Sequence, residues 1–92
     1  MPQAARLQDI CTGHSSCPSP RPNIQASGDV IINGRGAHRE GDRWDQHCGH
    51  FSNLQSGSST VIINGKQAGR VGDPIICGSF VATGSNDVII GG

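Results

Sequence analysis

Aliphatic residues in this chain come in short bursts, and three of the bursts are nearly the same. Val30-Ile31-Ile32 and Val61-Ile62-Ile63 each run into Asn-Gly, and Val88-Ile89-Ile90 runs into Gly91-Gly92. β-branched triplets favour strands. Asn-Gly is the preferred pair for a type I′ turn, in which both central residues take positive φ. Each full burst predicts a strand, a tight turn and a second short strand through Ala37-His38-Arg39 or Ala68-Gly69-Arg70. A bend at Gly41-Asp42 or Gly72-Asp73 then ends it. The unit repeats at an offset of 31 residues: segments 29–42 and 60–73 are identical at nine of fourteen positions.

The third unit is split. Asp87–Gly92 supplies its first half, and Ala4-Ala5-Arg6-Leu7-Gln8-Asp9 aligns without gaps to 37–42 and 68–73 as its second. Pairing the last strand with the first closes three equivalent units into a ring, which hides sheet edges that would otherwise invite aggregation. The expected fold is all-β: a small cone of short β-hairpins with pseudo-threefold symmetry, closed through the termini, as one domain over residues 1–92. Three similar patches on one chain match the end of a true trimer. Self-sufficient trefoils and prisms are also threefold, but they use longer, more aromatic repeats.

Composition makes such a core thin. The 92 residues include three aromatics (Trp44, Phe51 and Phe80) and fourteen glycines. Small domains of this kind often need a staple. Seven basic and seven acidic residues cancel, which disfavours nucleic-acid binding. MPQAARLQD has no apolar core of a signal peptide, and no aliphatic run is long enough to span a bilayer. Synthesis in the cytoplasm is expected, with any exit through a machine. Cysteines 11, 17, 48 and 77 then read as thiols or metal ligands rather than disulfides.

The metal-type residues gather in the segments between hairpins, which carry no regular pattern. His14 and His47 lie five past Asp9 and Asp42, Cys77 lies four past Asp73, and His50 and Cys17 lie eight past Asp42 and Asp9. His14, His47, His50 and Cys77 draw on all three loops, so one tetrahedral Zn²⁺ could tie the apex together as a closed structural site. Cys17 and Cys48 are rival ligands, and Fe²⁺ is an alternative ion. Cys11 is expected to be a small buried side chain and His38 an exposed residue without a metal role. The proline-rich Cys17–Pro22 loop is a stiff connector. Ser56–Ser59 and Thr83–Ser85 are turns into the next strand.

The order of these motifs resembles the PAAR-repeat proteins. It rests on Pro2 with Ala4-Ala5-Arg6, two Asn-Gly hairpins ending in A-x-R-x-G-D, Cys11-Thr12-Gly13-His14, Cys77-Gly78-Ser79 and the terminal VIIGG. Gln3, Gln8 and the compact His47-Cys48-Gly49-His50 depart from the family pattern. The resemblance implies a pointed cone whose base sits on a trimeric β-helical spike, one tip per trimer, in a phage tail or type VI secretion system. It implies three histidines and one cysteine holding a metal near the vertex, matching His14, His47, His50 and Cys77. It further implies a tip that sharpens the spike, helps it pierce the target envelope and is delivered outward on contraction. Relatives can carry toxin domains. This chain ends within the repeat, so a mechanical role without catalysis is expected. A zinc hydrolase using Asp45 as base and a zinc-bearing nucleic-acid module are the competing readings.

Overall fold

A computed structural model describes residues 2–13, 20–47 and 49–91, with backbone alone at His47 and His50. Among the described residues, six strands form three antiparallel hairpins: β1 (Ile31–Ile32) with β2 (Arg35–Gly36), β3 (Arg43–His47) with β4 (His50–Asn53), and β5 (Ile62–Ile63) with β6 (Lys66–Gln67). The chain fills 31 × 24 × 21 Å.

The Asn-Gly hairpins have the expected turns. Asn33 and Gly34 sit at φ 53° and 78°, and Asn64 and Gly65 at 54° and 79°. Their return strands are shorter than expected. Ile31 and Ile32 pair with Gly36 and Arg35, and the two residues of β6 pair likewise with β5. The Ala-x-Arg segments assigned to those return strands bridge neighbouring units instead. Arg6 pairs with Ala37, Arg39 with Ala68, and Arg70 with Ala4. At the chain ends Gln3 pairs with Ile89, and the Ala4 and Ile90 amides donate to Val88 and Pro2 carbonyls at 2.9 and 3.0 Å.

The same bonds recur three times. The amide of His38 donates to Ala5, that of Gly69 to His38 and that of Ala5 to Gly69, at 3.0, 2.8 and 2.9 Å. This closed triangle of peptides separates two small cores. On one side Ala4, Ala37 and Ala68 pack with Ile32, Ile63 and Ile90. On the other, Ala5, Cys11, Trp44, Leu54, Ile75 and Val81 pack together, with Val71 and Cys77 against them. Cys11 is fully buried, as its small apolar side chain suggests.

Each A-x-R-x-G-D segment is locked by its own ion pair. Arg6, Arg39 and Arg70 clamp Asp9, Asp42 and Asp73 with two guanidinium nitrogens at 2.9–3.1 Å, and the arginine amide donates to the same carboxylate. These carboxylates are nearly dry, so paired, charge-assisted bonds are needed to keep them there.

Candidate functional site

Three excursions leave the repeat after Asp9, Asp42 and Asp73, and each returns to the same place. The amides of Asn23, Leu54 and Val81 donate to the carbonyls of those aspartates at 3.1, 3.0 and 3.0 Å. These excursions carry the candidate metal ligands. The middle one is not the irregular loop the sequence suggested. It is the longest hairpin among the described residues, β3–β4, anchored by the fully buried Trp44.

Backbone pairing in this hairpin sets His47 directly opposite His50. The third excursion is fastened to it: the Cys77 amide donates to Ser52 Oγ at 3.0 Å, two residues along β4 from His50. Ile76 likewise donates to the Asn53 carbonyl at 3.0 Å. The first excursion is fastened to the third. Cys11 pairs with Val81, and the Thr12 amide donates to the Phe80 carbonyl at 2.9 Å. The Cys77 side chain is half-buried. The backbone at Cys77 is therefore tied to β4 at Ser52. His14 and the rival ligands Cys17 and Cys48 lie outside the described residues. Among the described residues, no three His, Cys, Asp or Glu side chains gather as a metal cluster.

Asp45, the candidate base of a hydrolase, is engaged. Its Oδ2 accepts from Arg21 Nη2 at 2.7 Å and its Oδ1 from the Gln46 amide at 2.8 Å.

His38 overturns its expected place. It is fully buried rather than exposed, because its backbone belongs to the central peptide triangle and its ring points into the second core. The ring meets Trp44 edge-on, with centroids 5.1 Å apart. Gly69 packs beside it: a Cβ there would crowd Leu54 Cδ2 at 2.8 Å and the His38 carbonyl oxygen at 3.0 Å. His38 Nδ1 is 2.8 Å from the Gln25 carbonyl, which can only accept, so Nδ1 carries the proton of the neutral ring. Burial drives its pKa from 6.5 down to about 4.

The opposite face bears a different feature. Ile31, Ile62 and Ile89 are 56, 54 and 47% exposed at matching positions of the three bursts. Val30, Val61 and Val88 beside them are 38, 36 and 36% exposed. No helix among the described residues is long and apolar enough to cross a membrane.

Comparison with known proteins fits this organisation. The NAD(P)(+) glycohydrolase toxin Tse6 and the (p)ppApp synthetase toxin Tas1, both of Pseudomonas aeruginosa, are each 35% identical to the chain over 79 residues. The match covers 75% of this chain and 18% of each toxin, so the chain spans under a fifth of the length of these relatives. The PAAR motif itself matches residues 22–83, most of the repeat described above, and the chain belongs to the PAAR-motif family.

Proposed function

We propose that this chain is the tip of a trimeric spike in a contractile injection machine, a type VI secretion system being favoured by the toxins it resembles. The observation that carries the reading is the threefold aliphatic face. Three copies of one exposed Val-Ile pair suit three identical strands ending in a trimer. The Gln3–Ile89 bridge supports a third hairpin made from both ends of the chain, which closes the ring behind that face. Synthesis in the cytoplasm and outward delivery on the spike follow from this role, as does passage through a target envelope. The toxin activities named for the relatives belong to their unmatched length, and this domain carries none.

The tip is held by a metal ion at His14, His47, His50 and Cys77. Zn²⁺ suits three imidazoles and a thiolate, and Fe²⁺ is the alternative. The donors fit: the described backbone already sets His47 against His50 and ties the Cys77 segment to β4. Such an ion would join three excursions that share only a small core, and would serve stability rather than turnover.

Two experiments test this. Ile31→Asp with Ile62→Asp should leave the fold intact and abolish one-to-three binding to a cognate spike trimer, read by light scattering. Undiminished binding would sink the docking face. For the metal, elemental analysis of protein purified without added metal should find one ion per chain. Cys77→Ala should then lower both the metal content and the melting temperature, and chelation should add nothing further to the variant. Equal melting of the parent chain with and without chelator would remove the ion from the account.

A further inference from the structure

The strongest unexplained group is His38. Its counterparts in the other units are Ala5 and Gly69, so the repeat itself does not require an imidazole there. The residue spans both layers: its peptide sits in the central triangle, and its ring meets Trp44 of the second core edge-on.

A charged imidazole has nowhere to go in this setting. The protonated ring has two N–H donors and needs two acceptors. Nδ1 has one, the Gln25 carbonyl. Nε2 is buried and has no hydrogen-bond partner among the described residues. The nearest carboxylate, Asp42, lies 3.9 Å from Nδ1, on the side that is already satisfied. Both its oxygens are taken by Arg39. The other charges acting on the ring are Arg39, which opposes its protonation, and Asp9, which favours it.

We infer that His38 is an acid-sensitive joint: its protonation uncouples the Trp44 layer from the peptide triangle, so the tip loosens in an acidic compartment. The sign follows from proton linkage. The folded ring binds its proton only near pH 4, whereas the unfolded ring does so near 6.5. The stabilisation is therefore complete above pH 6.5 and is lost as pH falls from there towards 4. Two pH units within that window amount to roughly a hundredfold change in the folding constant.

Trp44 is the sole tryptophan, fully buried, and touches the ring, so its emission reports the joint directly. The test compares the full chain with His38→Asn and His38→Phe between pH 7 and 4.5, with and without chelator. Asn keeps a donor for Gln25, and Phe keeps the ring. The parent chain should lose roughly 10–20 °C more of its melting midpoint over this range than either variant. Its imidazole signal for residue 38 should stay neutral by NMR until well below pH 6. The proposed ligand histidines are present in all three proteins and so cancel in the comparison. Equal losses in parent and variants, or titration of His38 near pH 6.5, would overturn the joint. If neither variant folds at pH 7, the NMR titration of the parent chain decides alone.

Discussion

Gln8 shows what the repeat demands of a single residue. It stands where the other units have Gly41 and Gly72, and all three take positive φ: 70°, 84° and 91°. The requirement is conformational, since a Cβ at Gly41 or Gly72 would meet nothing within 4 Å. Gln8 is exposed, and its amide donates to Asn23 Oδ1 at 3.0 Å, a bond that does not need its side chain. The left-handed conformation costs a residue with a Cβ about 1–2 kcal/mol, partly offset by the greater freedom of glycine when unfolded. Gln8→Gly should therefore stabilise the chain by about 1 kcal/mol, raising the thermal midpoint by roughly 4–8 °C. A lower midpoint would mean that the Gln8 side chain contributes something the backbone does not show. The sequence exposed this position as a departure from pattern, and φ explains why glycine is the usual occupant. It could not expose His38. A histidine amid Ala and Gly counterparts reads as solvent-facing, because the burial of its ring against Trp44 is a tertiary contact.

The Asn-Gly hairpins were legible as elements because β-branched bursts and a two-residue turn are local signals. The β3–β4 hairpin was not. Its strands, Arg43–His47 and His50–Asn53, contain no aliphatic burst, and it is held by the tertiary burial of Trp44. The turns before the second and third bursts were visible, but their device was not. Ser27, Ser58 and Ser85 each stand three residues before Val30, Val61 and Val88 and are almost fully buried. Each hydroxyl accepts from the amides of the second and third residues after it, at 3.0–3.2 Å. Each then donates onward to a neighbouring unit: Ser27 and Ser85 to the turn residues Asn64 and Asn33, and Ser58 to the Gly91 carbonyl. Replacing any one by alanine removes these bonds from a buried hydroxyl, at about 0.5–1.5 kcal/mol for each hydrogen bond lost. The three alanine variants should lose similar stability in urea unfolding. A neutral result at one site would show that its unit is not equivalent to the others.

At the scale of the whole molecule, the repeat announced similar hairpin units, while their joining through the Ala-x-Arg segments and the stacking of two cores on a peptide triangle emerged only in three dimensions. Apolar residues in the excursions are few and scattered, so nothing in their order announces Trp44, Leu54, Ile75 and Val81 as one cluster. The proposed ring makes a demand on connectivity that a chain open at its ends does not. In sequence, Gly91-Gly92 followed by Pro2-Gln3 takes the place of Asn33-Gly34-Arg35-Gly36. The bridge between Gln3 and Ile89 has the same register as that between Gly36 and Ile31. A circular permutant can therefore begin at Gly65, run to Gly92, continue directly into Pro2 and end at Asn64. This opens one two-residue turn and closes another of equal length, so the loop-closure entropies nearly cancel. The permutant should fold with Trp44 buried, as read by its emission maximum, and melt within roughly 10 °C of the parent chain. A control opened between Trp44 and Asp45 cuts β3 beside its buried anchor and should not fold. Failure of the Asn64–Gly65 permutant would mean that the pairing of Gln3 with Ile89 does not close a third hairpin, and the threefold docking face would lose its structural basis.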